Sequence, residues 1–351
     1  MKNVLLYGAT GYTGELLARE AVRRGLRPVL AGRNAARVEA LAQELELPFR
    51  VFALEDTPRL DDALRDAAVV LHCAGPFSLT SAPMVAACLR TGTHYLDITG
   101  EISVFEALAR QHEAAVAAGI MVLPGVGFDV VPSDCLALFL KEQLPTATHL
   151  TLAFRALGPG GMSHGTQATM LLNAGGGGAV RCQGRIVPVP PAWRSRLLDF
   201  GAGPKLATTI PWGDVSTAFY STGIPDIEVY TVLPRATRRL LRLSRYLGPL
   251  LRSGPVQRFL QGRIPAGGPS AEHRQQARTA LFGEATDAQG RRVAARLAAP
   301  EGYTLTVLTA LLITEKVLAG HWHPGFQTPA KAYGAGLILE VEGVSREVVS
   351  E

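Results

Sequence analysis

Apolar and polar positions follow two rhythms along the chain. Over the first ~125 residues, short apolar runs alternate with segments of helical spacing. The runs at 2–7, 27–31, 48–53, 67–72, 93–97 and 120–123 read as strands buried on both faces. Segments 15–22, 82–90 and 104–118 carry the helical spacing between them. Strand and helix in turn predict a doubly wound parallel sheet. From ~135 the rhythm changes: a helix is expected at 133–144, capped by Ser133. Runs at 149–154, 185–189, 227–232 and 292–297 read as strands without a βα alternation, which predicts a mixed or antiparallel sheet. A long apolar helix is expected at 303–318, suited to a domain interface, and Thr328-Pro329 starts a last one. The helical run 166–174 ends in Gly175 to Gly178, read as a helix stop and connector.

The first strand runs into Gly8-Ala9-Thr10-Gly11-Tyr12-Thr13-Gly14, and a helix follows. Strand, glycine turn and helix form a pyrophosphate site: the backbone can approach the phosphates, and the helix N-terminus offers unpaired N–H groups and a positive dipole end. The spacing is GxxGxxG, one residue longer than GxGxxG, and its strand–helix context carries the signal. After the second strand stands Gly32-Arg33-Asn34, where sites for NAD usually place Asp or Glu on the ribose 2′-hydroxyl. Arg33 can instead pair with a 2′-phosphate, which points to NADP(H); the bland reading is a solvated Arg near a helix start. The expected fold is therefore α/β: a doubly wound Rossmann domain at 1–132, a second α+β substrate domain built on a mixed or antiparallel sheet at 133–324, and a C-terminal segment 325–351 packing back on the first domain.

In such sheets ligands bind beyond the carboxyl ends of the strands. After the fourth strand comes Cys73-Ala74-Gly75-Pro76-Phe77, whose small residues let the backbone lie against the cofactor and whose Phe77 can flank the nicotinamide. The loops after strands five and six bring Asp97, Glu101 and Asp129 toward one crevice, where carboxylates relay a proton or fix a substrate. Equally, Asp97 and Asp129 cap helices or tie loops. Phe128, Trp212 and Asp214 are candidate substrate residues, the last two on an expected loop that either lines the cleft or pins a turn. No lysine stands four residues after a tyrosine, which excludes the Tyr-x-x-x-Lys mechanism of short-chain dehydrogenases. His321-Trp322-His323 has no further spaced ligand and reads as a loop pair, so no metal is expected.

Composition narrows the class. The 351 residues are 47% hydrophobic and 19% charged, which suits a globular enzyme with ample core. No leader and no membrane span is expected. Cys73, Cys88, Cys135 and Cys182 show no CxxC pairing, so reduced thiols in a cytoplasmic compartment are expected. The net charge of +5 is concentrated: 235–263 holds eight arginines and no acid, with Leu240, Leu243, Leu247, Leu250 and Leu251 at helical spacing. This basic amphipathic stretch suits a membrane surface, an acyl-carrier protein or another acidic partner, or else a solvated helix face. No motif for nucleic acid accompanies it.

These motifs together resemble the saccharopine dehydrogenase-like NADP-binding oxidoreductases. The likeness rests on GATGYTG with Ala31-Gly32-Arg33-Asn34, on Cys73 to Phe77, on His94 to Glu101, and on Pro124 to Asp134. Pro211-Trp212-Gly213-Asp214 and Gly325 to Ala330 add likeness to the trans-acting enoyl reductase branch. The resemblance implies a Rossmann domain for NADP(H) or NAD(H) and an α+β substrate domain. It implies that Gly8, Thr10, Gly11, Tyr12, Thr13 and Gly14 hold the pyrophosphate and Arg33 the 2′-phosphate, with Asn34 beside it. Ala74, Gly75 and Pro76, next to Cys73, would take the nicotinamide side. It assigns no catalytic residue. A saccharopine-type substrate needs converging cations, for which Arg155, Arg181, Arg185, Arg194 and Arg196 are available, but their surroundings are largely apolar. The expected activity is hydride transfer to a conjugated C=C bond of an apolar or acyl-type small molecule, lipid-like or carrier-bound. A C–N dehydrogenase and a non-catalytic NADP(H) sensor remain open, as does a homodimer.

Overall fold

The computed structural model describes residues 3–159, 161–172, 176–251, 253–265 and 267–349. It divides into two compact units, each made of two chain segments. The first unit comprises 1–129 and 303–332. Its strands are β1 (Asn3–Tyr7), β2 (Val29–Gly32), β3 (Phe49–Val51), β4 (Ala67–His72), β5 (His94–Asp97) and β6 (Met121–Leu123). With the short strand Gly325–Phe326 at one edge they form a seven-stranded sheet, ordered β3-β2-β1-β4-β5-β6-edge, parallel throughout. Leu5, Leu6, Leu30, Val69, Val70 and Leu96 are almost fully buried, as a sheet covered on both faces requires. The strand order reverses at β1, whose neighbours are β2 and β4, so a crevice opens beyond their carboxyl ends.

The expected strands are all present, and the helices α1 (Tyr12–Arg23), α2 (Ala35–Leu45), α3 (Thr57–Arg65) and α4 (Phe77–Thr91) alternate with them. The single helix expected at 104–118 is two, α5 (Ile102–Ala109) and α6 (His112–Ala117). The break falls where His112 Nδ1 accepts the Phe326 N–H at 3.1 Å, tying α6 to the edge strand. Thr328 Oγ1 accepts the Lys331 N–H at 3.3 Å and starts the helix Pro329–Tyr333, as Thr-Pro predicts.

The second unit comprises 130–302 and 333–351. Its helix α7 (Val131–Gln143) precedes β7 (Ala147–Leu157), and α8 (His164–Leu172) follows. Then come β8 (Gly178–Cys182), β9 (Arg185–Val189), β10 (Ser195–Asp199), β11 (Pro204–Thr209), α9 (Asp214–Thr222) and β12 (Asp226–Val232). Later in the chain lie β13 (Arg278–Asp287), β14 (Arg292–Pro300) and the strand Ser345–Val348. The sheet is mixed: β12 pairs with β7 in parallel, and β10-β11-β12 and β7-β13-β14-Ser345–Val348 pair antiparallel. Helix α7 lies on β13, where a Cβ on Gly283 would stand 2.6 Å from a Leu140 methyl.

Three expectations change. The helix Gly302–Leu318 falls with the first unit from Tyr303 onward, not with the substrate domain expected at 133–324, whereas the strand Gly325–Phe326 falls with the first unit as expected of the segment that starts at 325. Residues 333–351 belong to the second unit, because Ser345–Val348 completes its sheet along β14. Ser133 does not cap α7 but lies within its first turn and donates to Asp214 Oδ2 at 2.8 Å. Of the glycine run at 175–178, Gly175 lies outside the described residues, as do the last residues of the helical run expected before it.

Candidate dinucleotide site

The glycine turn is built from backbone hydrogen bonds. Gly8 N and Ala9 N both donate to Ala31 O, at 2.9 and 3.2 Å, and Gly11 N donates to Gly8 O at 3.0 Å. Gly8 has φ +84°, and a Cβ there would stand 2.7 Å from Ala74 N. A Cβ on Gly14 would stand 2.2 Å from Gly8 O. These two positions admit glycine alone. Gly11 is different. Its backbone is ordinary extended chain, φ −77° and ψ 161°, and a Cβ would come no nearer than 3.3 Å to Gly8 O. It is exposed and forms the N-cap of α1 without a side chain to cap it. Tyr12 and Thr13 begin the helix beside it, partly exposed, so the first-turn N–H groups face an open, Cβ-free cradle. That geometry fits a pyrophosphate.

Arg33 is exposed just beyond β2. Asn34 caps α2: its Oδ1 accepts the Arg37 N–H at 3.1 Å. Arg37, which the sequence reading passed over, reaches from the first turn of α2 to Thr10 O at 3.1 Å, so it bridges α2 to the glycine turn. Two cations thus stand at the positive end of a helix, where a carboxylate is the favourable neighbour. A phosphate bound there would relieve that opposition.

Beyond β4, Cys73 N donates to Tyr7 O at 2.8 Å and holds 73–76 against the turn. His72 Nε2 lies 3.0 Å from Thr80 Oγ1, which donates to Ala74 O at 2.7 Å. The chain of donors makes Nε2 the protonated nitrogen. Burial holds His72 down to about 3, so it is neutral, and pushes the Cys73 thiol well up. The Gly75–Pro76 peptide is cis. Phe77, expected beside the nicotinamide, opens α4 with its ring buried edge-on against His72, centroids 5.4 Å apart.

The three carboxylates occupy adjoining loops of the first unit but do different things. Asp97 is fully buried and accepts from Tyr95 Oη at 2.7 Å, Thr99 N at 2.9 Å and Gly125 N at 2.8 Å. Desolvation raises its carboxyl to about 6, opposed by those donors. It ties the loops after β5 and β6 together. Glu101 receives Phe77 N at 2.7 Å and Ser78 N at 3.3 Å, so it caps α4 from a neighbouring loop. Asp129 is partly accessible, its carboxylate packed on Gly100, where a Cβ would stand 2.6 Å from Oδ2. Burial raises it to about 7. Its loop is held by the helix Gly302–Leu318: Thr306 Oγ1 accepts Phe128 N at 3.0 Å, and Thr309 Oγ1 donates to Val126 O at 2.8 Å.

Trp212 and Asp214 belong to the second unit. Trp212 packs on Phe154 with ring centroids 4.6 Å apart. Asp214 is not on a loop: it is the first residue of α9, fully buried, and joins α9 to α7 through Ser133. Asp134 and Ser221 repeat the connection at 2.5 Å.

The sheet order, the Cβ-free turn and the paired cations define a dinucleotide-binding α/β protein. Residues 4–123 match the family model of the saccharopine dehydrogenase NADP binding domain, a likeness that agrees with the NADP(H) site read from Arg33 and the glycine turn. The chain is 27% identical over 203 residues to the saccharopine dehydrogenase-like oxidoreductase of Mus musculus, covering 51% of this chain and 47% of that protein. It is 36% identical over 140 residues to the trans-acting enoyl reductase of Mycobacterium leprae, covering 38% and 34%. It thus spans less than half the length of the curated relatives it matches. The solved apo saccharopine dehydrogenase (L-Glu forming) of Saccharomyces cerevisiae shares the fold over 100% of both chains, with a TM-score of 0.68 and 14% identity.

Proposed function

We propose that the protein is an NADP(H)-dependent oxidoreductase that reduces a conjugated C=C bond in an apolar, acyl-type substrate. The observation that carries the reading is the turn at Gly8 and Gly14, in which packing forbids a Cβ at both positions, joined to the matched NADP-binding domain. When bound, NADPH supplies a hydride. Gly11, Tyr12 and Thr13 hold its pyrophosphate, Arg33 and Arg37 its 2′-phosphate, and Ala74 to Pro76 its nicotinamide side. Asp129 retains a proton on its carboxyl near neutral pH and donates it to the carbon next to the reduced one. Asp97 and Glu101 position the loops around it.

Three arginines that a polycarboxylate substrate would need are already engaged. Arg181 donates to Val215 O at 2.8 Å and Gly184 O at 2.7 Å, Arg194 pairs with Glu228 at 2.7 Å, and Arg196 pairs with Glu284 at 2.9 Å. This supports an apolar substrate over a saccharopine-type one. The decisive measurement follows NADPH absorbance with enoyl thioesters and enones beside amino-acid-derived imines. Steady oxidation with the first group supports the proposal. Turnover confined to imines replaces it with a C–N dehydrogenase, and binding without turnover leaves a sensor.

A further inference from the structure

The helices Arg235–Leu251 and Gly254–Gln261 of the second unit carry a surface that the dinucleotide chemistry does not use. Leu240 is 65% exposed, Leu243 57%, Tyr246 70% and Phe259 59%. On the same helix Leu241 and Ser244 are partly covered, so Leu240 and Leu243 lie on the outward side. Each aromatic ring has a guanidinium over it: Arg245 is 4.6 Å from the Tyr246 centroid and Arg263 is 4.3 Å from that of Phe259. No Asp or Glu occurs in 235–263, which holds eight arginines. The side chains of Leu247, Leu250 and Leu251, and Arg252, lie outside the described residues.

We propose that this surface docks on an anionic lipid bilayer. Exposed leucines and aromatics among cations suit a headgroup–acyl boundary: the apolar side chains enter it while the arginines remain at the phosphates. An acidic protein would have to carry an apolar groove matched to Leu240 and Leu243 as well as carboxylates, whereas a bilayer boundary supplies both without matching. Charge complementarity selects an anionic rather than a zwitterionic surface. No helix among the described residues is long and apolar enough to cross a membrane, so the attachment is peripheral.

Co-sedimentation of the whole protein with phosphatidylcholine vesicles, with and without phosphatidylglycerol, tests the proposal. Binding is expected to require phosphatidylglycerol and to collapse toward 1 M salt, where the Debye length is ~3 Å. Changing Arg238, Arg239, Arg242 and Arg245 together to Gln should weaken binding roughly a thousandfold at low salt. Leu240→Ser, Leu243→Ser and Tyr246→Ser combined keep every charge and should weaken it by at least about tenfold. All these positions but Arg238 are exposed and all lie outside the unit that holds the glycine turn, so NADPH affinity stays unchanged, and an unchanged circular dichroism spectrum and thermal midpoint serve as the folding control. The proposal is overturned if wild type ignores phosphatidylglycerol or if the Leu/Tyr variant binds vesicles as wild type does. It is equally overturned if binding is confined to an acidic carrier protein, or if the stripe instead holds two copies of the chain together.

Discussion

Of the three carboxylates that the sequence brings toward one crevice, Asp97 and Asp129 are both moved upward by desolvation, yet their surroundings separate them. Asp97 spends its oxygens on Tyr95, Thr99 and Gly125, whereas Asp129 stands on the bare Cα of Gly100 and is partly accessible. Both carboxyls lie above the ordinary Asp value, so the folded chain binds more protons than the unfolded one. The stability they contribute is complete below about pH 4 and is lost as pH rises through about 6 for Asp97 and about 7 for Asp129. For Asp97 the loss amounts to about 3 kcal/mol. Urea midpoints followed from acid to neutral pH should fall accordingly, and Asp129→Asn should remove the later part of the decline. The same variant should lower kcat by about 10²–10⁴-fold and abolish the alkaline limb of the rate profile near pH 7; an unchanged profile would remove Asp129 as the proton donor. Arg33→Asp should cost NADPH about 2–3 kcal/mol of binding and relatively favour NADH, read by fluorescence titration. Arg33 is singled out in the sequence by its place after β2, where dinucleotide sites meet the ribose. The different needs of the three glycines are not legible there, since spacing is silent on which Cβ meets backbone: Gly11→Ala should fold and lose cofactor affinity, while Gly14→Ala should disturb the turn itself.

Among elements, those with a local signal were legible and those made by packing were not. The parallel strands announce themselves as apolar runs, and Thr328-Pro329 announces its helix. Strand β13 was missed because nearly all of Thr279 to Ala285 is buried, which erases any alternation, and because Gly283 reads as a turn although it is there to admit Leu136 and Leu140. Helix α9 was missed because Asp214-Val215-Ser216-Thr217 has weak helical propensity; Ser133 and Asp134 of α7 secure it through Asp214 and Ser221. Helix α4 was expected five residues late because its cap, Glu101, lies 24 residues away from Phe77. Glu101→Ala would leave two buried or half-buried N–H groups without their acceptor. It should destabilise the fold by about 1–3 kcal/mol in chemical denaturation, and a neutral effect would mean that another group caps α4.

At the scale of the whole molecule the chain passes from one unit to the other near 129, returns near 302 and leaves again near 332. A fragment ending at 132 therefore lacks the helix Gly302–Leu318, whose Leu305, Ala310 and Ile313 are fully buried, and loses the edge strand as well. Such a fragment should aggregate or bind hydrophobic dyes. Joining Asp129 to Tyr303 through a short flexible linker, and ending at 332, should give a folded unit that still binds NADPH, since Phe128 and Thr306 are already hydrogen bonded. The sequence rhythm could not disclose this plan, because periodicity identifies an element and not the sheet it joins. The braid also bears on how such a protein can be made and remade. On the ribosome the nucleotide-binding half cannot finish until residues 303–332 have emerged, so its unpaired apolar surface waits while most of the second unit is made. Over evolutionary time neither half can be exchanged by a single cut and splice, because a swap needs matched junctions near 129, 302 and 332 together.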